Sequence, residues 1–163
     1  MAERSDPLAE LAFASPDCQA ARLTALPPAR RHIVHGDAAS LGMVLPDRCR
    51  VIVDRDRVVL WLGPDEFLLF ASDCDSPGAI DISHRDTAIE VSGPRAAWVI
   101  NAFCALDLDV SAFPTGMCTR TVFGKAQILL WRTAADTFRI EVARSFAPYV
   151  WGCLEEARRE FLD

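Results

Sequence analysis

The 163-residue chain is short of most residues that advertise chemistry. It has three histidines, one tyrosine and eight glycines. No GxGxxG, Walker A or HExxH pattern occurs, and no Gly-rich loop is available to cradle phosphates. The six cysteines (Cys18, Cys49, Cys74, Cys104, Cys118, Cys153) include no CxxC pair. A zinc site usually needs such close ligand pairs. Scattered cysteines are best read as small buried hydrophobes. Basic residues are in deficit, 17 Lys+Arg against 23 Asp+Glu, which argues against a nucleic-acid binder. No apolar run approaches the roughly 18–20 residues of a membrane span. The N-terminus, MAERSDPLAELAF, lacks a basic n-region and apolar core, so a cytoplasmic location is expected.

Apolar residues, by contrast, make up 51% of the chain, enough for a substantial core. Residues 1–28 carry Ala, Pro and charge without clear period and read as a loose or partner-bound arm, with one helical turn near Leu8–Phe13. A first α+β subdomain is expected over 29–74. It has a strand at Arg30–Val34, a short helix from Asp37 to about Met43, and strands at about 49–53, 57–62 and 66–71. The turn-rich stretch Ser72–Gly78 marks a boundary.

A second α+β subdomain is expected over 75–163. Strands at Ala79–Ser83 and Thr87–Ser92 lead through Gly93-Pro94 into a helix to about Cys104. Three strands follow, at about 117–123, 126–132 and 136–143. In the last, Phe138, Ile140 and Val142 alternate with Thr137, Arg139 and Glu141, so one buried face is expected. Ser145 is placed to cap a final helix, about 146–161, whose apolar stripe is Phe146, Val150, Cys153, Leu154, Ala157 and Phe161. Glu155 and Arg159 are expected to pair on its wet face. The predicted class is α+β, two small antiparallel sheets with packed helices.

The candidate chemistry is thin. In VVLWLGPDEFLLF (58–70), Asp65 and Glu66 are adjacent. Neighbours on a strand project to opposite faces, so they cannot serve as a facing acid/base pair, and Gly-Pro-Asp is ordinary turn chemistry. Asp81, Ser83 and His84 supply the residue types of a triad, but neighbours along a strand and turn rarely converge. His32 and His35 have no evident third metal ligand. No catalytic, cofactor-binding or metal-binding residue is therefore expected in this chain. The four tryptophans are most simply core residues, although Trp is enriched in interface hot spots. Trp151, beside rather than within the last helix's stripe, is the first candidate for an interface anchor, with Trp61 and Phe67 next. Trp61, Phe67 and Phe70 need cover on both sides of their sheet, from the chain's own helices or from a partner.

Four blocks in combination resemble the gamma subunit of heterotetrameric sarcosine oxidase: WLGPDEFLLF (61–70), AIDISHRDTAIEVSGPRAAWVINAFCALDL (79–108), FPTGMCTRTVFGKAQILLWR (113–132) and FRIEVARSFAPYVWGCLEEA (138–157). RRHIVHGDAASLGMVLP (30–46) extends the match more weakly. The second half is also similar to the N-terminal part of the aminomethyltransferase (T-protein) fold. Asp81-Ile82-Ser83-His84 and Gly93-Pro94-Arg95-Ala96 match its layout. Folate-using members of that fold carry an acid in the strand after the later glycine turn, where this chain reads Gly124-Lys125-Ala126-Gln127-Ile128-Leu129-Leu130, without Asp or Glu.

The resemblance implies a subunit without a cofactor or catalytic residue of its own. FAD, FMN, NAD, tetrahydrofolate and zinc would reside in alpha, beta and delta partners. The assembly would demethylate sarcosine oxidatively to glycine. Gamma subunits usually carry a longer segment where this chain has Ser72–Gly78. Two alternatives stay open: the equivalent subunit of an N-methylglutamate dehydrogenase or other secondary-amine demethylase, and a stand-alone folate-binding protein.

Overall fold

The computed structural model describes residues 6–37, 42–72, 74 and 78–162. Helix α1 (Ala9–Ala14) precedes β1 (Arg22–Ala25), β2 (Arg31–His35), β3 (Val51–Asp54), β4 (Arg57–Gly63), β5 (Glu66–Phe70), β6 (Ile80–Asp81) and β7 (Asp86–Ser92). Helix α2 (Ala96–Asn101), β8 (Cys118–Phe123), β9 (Ala126–Ala134), β10 (Thr137–Ala143) and α3 (Ala147–Arg158) follow, with a final 3-10 turn at Arg159–Phe161. All strand pairings are antiparallel, in two five-stranded sheets. The α+β expectation therefore holds. The short helix expected from Asp37 lies largely on 38–41, outside the described residues, as does much of the Ser72–Gly78 stretch.

The first sheet has the order β1-β7-β10-β9-β8. One face is covered by α2 and α3, and the core between them includes Ile89, Val91, Val99, Ile100, Leu130, Ile140, Val150 and Leu154. The second sheet has the order β3-β4-β5-β2-β6. Its hairpin β4–β5 alternates faces, as period two requires. Leu60, Leu62, Leu68 and Phe70 point toward the first sheet and pack with Cys118 and Leu129. Val59, Phe67 and Leu69 point away, with Trp61, Met43, Leu45, Cys74 and Ala79 packed against them. The apolar excess of VVLWLGPDEFLLF thus finds cover on both sides within the chain itself. At one end the sheets meet edge to edge: Arg50 bridges Met117, and Cys118 N donates to Cys49 O at 3.0 Å.

Three expectations need correction. Residues 6–28 are no loose arm. Strand β1 pairs with β7, and Leu8, Ala21 and Leu23 are buried in the helix-covered core. Arg158, 1% exposed, fastens this segment by donating to Ala21 O (3.0 Å), Pro16 O (2.8 Å) and Ser15 Oγ (2.5 Å). Gly93 permits the same close approach, since at its φ of +127° a Cβ would lie 2.6 Å from Ala20 O. The sheets also do not divide at residue 74/75, because β6 pairs with β2. Hydrogen bonding, not chain order, assigns these short edge strands.

The third correction concerns α3. Its buried residues are Ala147, Val150, Trp151, Leu154 and Arg158, also a helical series. The stripe is rotated from the predicted one, Phe146 is exposed, and Trp151 lies inside. Ser145 does not cap the helix. Phe146 is the N-cap, without a side-chain hydrogen bond. Glu155 pairs with Arg158 and Arg159 with Glu156, rather than Glu155 with Arg159. Helix α2 is also shorter than its predicted run to Cys104.

Candidate functional site: the seam between the sheets and the tryptophan surface

Between the sheets lies a cavity of about 630 Å³. Ile33, Leu62, Leu68 and Ile82 line it from one side, and strands β8, β9 and β10 from the other. The polar residues on its wall, Arg85, Asp86, Arg120 and Glu141 among them, decide what it can do.

Glu141, 4% exposed, is gripped from both sheets. Its Oε2 accepts from Arg31 Nε of β2 at 2.7 Å, and its Oε1 from Arg139 Nε of its own strand at 2.6 Å. Both guanidinium groups also lie over the Phe70 ring, at 5.5 and 4.7 Å. A carboxylate buried so deeply is tolerated only when paired and hydrogen-bonded. Arg31 and Arg139 each keep one buried Nη2 without a hydrogen-bond partner, and the ring faces supply part of what those groups lack. The one-sided burial expected for β10 is therefore wrong. The face carrying Arg139 and Glu141 is covered as well, by the second sheet.

Glu66 makes the second link. Arg120 of β8 donates to both its carboxylate oxygens, at 2.9 and 2.7 Å, and this guanidinium holds the Glu66 carboxyl below its ordinary range. Asp65 is exposed at the hairpin tip, where its carbonyl accepts from Gly36 N at 3.1 Å. Glu66 is thus engaged across the seam while Asp65 is exposed at the tip. Arg85 and Asp86 pair with each other at the cavity wall.

The triad residue types also resolve into a turn. Asp81 Oδ1 accepts from Ser83 N (2.8 Å) and Ser83 Oγ (2.5 Å), which holds its carboxyl below the ordinary range. Ser83 Oγ in turn accepts from Arg31 N at 3.0 Å, tying the turn to β2. His84 is exposed. His32 is buried on β2 and His35 is exposed. Among the described residues, no group of three His, Cys, Asp or Glu could hold a metal ion. No helix among them is long and apolar enough to cross a membrane. The cysteines are free, with Cys18, Cys104 and Cys118 buried. Burial pushes the Cys118 thiol up to about 12, and its Sγ donates to Arg50 O at 3.3 Å. It fills space at the junction of the sheets rather than acting as a nucleophile. Gln127 stands on the cavity wall.

Sequence reasoning missed Arg31, Arg120, Arg139 and Glu141 as linking residues. Their strand positions were legible, but the sheet opposite them was not. The interface candidates fare unequally. Trp151 is 2% exposed in the helix-covered core, because the α3 stripe is rotated onto it. Phe67 is buried in the outer cluster of the second sheet, because the chain supplies its own cover. Neither offers a surface. Trp61 is half-buried in the same cluster, with Arg48 over its ring at 6.0 Å. Trp98, on α2, is the tryptophan that the structure leaves exposed, at 49%.

Comparison with known proteins bears on this arrangement. Residues 77–160 match the Sarcosine oxidase, gamma subunit family. The chain is 32% identical over 139 residues to the sarcosine oxidase subunit gamma of Corynebacterium sp. (strain P-1), covering 76% of this chain and 68% of that one. It is 31% identical over 174 residues to that of Corynebacterium sp. (strain U-96), covering 98% and 82%. Among solved structures, it superposes on a chain of the heterotetrameric sarcosine oxidase from Corynebacterium sp. U-96, determined with pyrrole 2-carboxylate. The TM-score is 0.85 at 28% identity, over 98% of this chain and 97% of that one. Glycine cleavage system aminomethyltransferase T from Bartonella henselae shares the fold. There the TM-score is 0.58 at 13% identity, over 90% of this chain and 48% of that one.

Proposed function

The chain belongs to the sarcosine oxidase gamma subunit family, and from that premise we propose that it is the non-catalytic structural subunit of a heterotetrameric, flavin-dependent sarcosine oxidase. The complex demethylates sarcosine oxidatively to glycine, passes the one-carbon unit to tetrahydrofolate and yields hydrogen peroxide. Its alpha, beta and delta subunits hold FAD, FMN, NAD, tetrahydrofolate and zinc. The assembly works in the cytoplasm.

The observation that carries this reading is the near end-to-end superposition on a chain of a heterotetrameric oxidase. The seam supports the non-catalytic part. Glu66, Asp86 and Glu141 are each engaged by an arginine, so none stands ready as a general base. The described residues do not fit a metal, and residues 124–130 hold no Asp or Glu to serve as the acid expected of a folate-using protein.

The test is turnover of the assembled enzyme, read as sarcosine-dependent peroxide formation. Asp65→Asn and Glu66→Gln are expected to leave it within about threefold, since substitutions at such turns rarely matter much. A hundredfold fall with the assembly intact would overturn the non-catalytic reading.

A further inference from the structure

The helix-covered side of the first sheet carries a feature that a free subunit has no use for. Trp98 projects from α2 with half its surface exposed. Its helix is held rigidly from below: Ala96, Val99 and Ile100, on the opposite face, are fully buried. Its ring is fixed sideways as well, edge-on to Phe161 at 5.3 Å and 80°, while Arg95 lies over the Phe161 ring at 5.9 Å. The indole is therefore in place before anything binds, and little side-chain entropy remains to be lost.

A hollow of about 460 Å³ opens beside it, lined by Trp98, Glu156, Ala157, Arg159 and Glu160. Arg159, the cation among these lining residues, already pairs with Glu156 at 2.8 Å, and Arg95 is held over the Phe161 ring. Glu160 takes part in no ion pair among the described residues, which leaves the lining residues with one negative charge in excess, in a chain of net charge −6. An aromatic face beside an unanswered carboxylate suits a side chain with an apolar stem and a cationic head. At the same end of α3, Ser15 bonds Glu155 and so holds α1 alongside, with Phe13 94% exposed. A fixed, exposed indole beside charged groups is the composition of an interface anchor.

We propose that Trp98 is the anchor of this chain's docking surface, and that the hollow beside it receives a lysine or arginine from a neighbouring subunit. The inference rests on the multi-subunit reading above and names the surface that serves it. The acidic rim attracts the basic partner at a distance, and the indole supplies the contact that slows its release. The interface residue is thus Trp98 rather than Trp151.

The experiment measures binding of the full chain to the purified remainder of its complex, by surface plasmon resonance at two salt concentrations. Trp98→Ala is expected to weaken binding at least a hundredfold. Glu160→Lys, which leaves the indole packing untouched, should weaken it at least tenfold and flatten the salt dependence. Phe146→Ala, at the far end of α3, should stay within threefold. Unchanged binding by both Trp98→Ala and Glu160→Lys would overturn the proposed surface while leaving the assembly reading intact. Failure of the unaltered chain to bind would overturn both.

Discussion

The two sheets solve the same problem differently. The helix-covered sheet buries its outer face under α2 and α3 in one large core. The other sheet has no such layer among the described residues. Its outer face is closed by Met43, Leu45, Cys74 and Ala79, residues from connecting segments, and its inner face by the first sheet itself. A sheet with no helical layer among the described residues leans on its neighbour for cover. That explains why the charged groups between the sheets are paired so closely: Glu141 with Arg31 and Arg139, and Glu66 with Arg120.

The strongest way to break the arrangement is to remove its buried carboxylate. Glu141→Ala leaves two guanidinium groups facing each other in the seam, and breaking such a buried pair is expected to cost about 3–5 kcal/mol. Urea denaturation measures it. The second sheet should lose amide protection before the first in hydrogen exchange on this variant.

Two matched truncations sharpen the contrast. Leu130 lies under helices and Leu69 under connecting segments, and both are fully buried. Leu→Ala costs about 2–5 kcal/mol depending on how far the site collapses. Leu130→Ala should fall at the upper end of that range and Leu69→Ala at the lower, because a site covered by connecting segments is expected to collapse further than one covered by packed helices. Equal losses in urea denaturation would mean that both sheets are covered equally rigidly.

Gly93→Ala probes the clasp between β1 and α2. The added Cβ meets the Ala20 carbonyl at a φ that alanine rarely adopts, so a loss of about 1–3 kcal/mol in thermal or urea unfolding is expected. Early proteolysis between residues 6 and 25 should accompany it.

The smallest effect is at Glu66, whose pair is partly exposed, so Glu66→Gln should cost about 1 kcal/mol or less at neutral pH. Because Arg120 lowers the Glu66 carboxyl in the folded chain, its stabilisation is in place above the ordinary value of 4.5 and is lost as pH falls below it. The variant's acid unfolding limb should therefore be shallower than that of the unaltered chain.

Much of this was legible in the sequence, for reasons that particular elements make plain. The β4–β5 hairpin announced itself by two apolar runs around Gly63-Pro64-Asp65, and β10 by its strict alternation. The polar character of the Asp65-Glu66 tip followed from geometry alone. What was hidden depends on partners distant in sequence. Nothing in RLTA (22–25) says that it will pair with β7, and nothing around Arg158 says that a charged residue will be buried against Ser15 and Pro16. The α3 stripe had two helical solutions one position apart, and only the covering sheet decides between them. That choice moved Trp151 inward, and the burial of the other face of α2 left Trp98 outside.

The central claim is the proposal that this gamma-family chain serves inside a multi-subunit oxidase and not alone. Native mass spectrometry of the chain co-expressed with alpha-, beta- and delta-type partners tests it most directly. The account predicts a single assembly containing one copy of the 18.0 kDa chain, with that chain ejected free of flavin on activation. A chain that stays monomeric beside an assembled complex of the other three, or one that is ejected carrying a flavin, would contradict it.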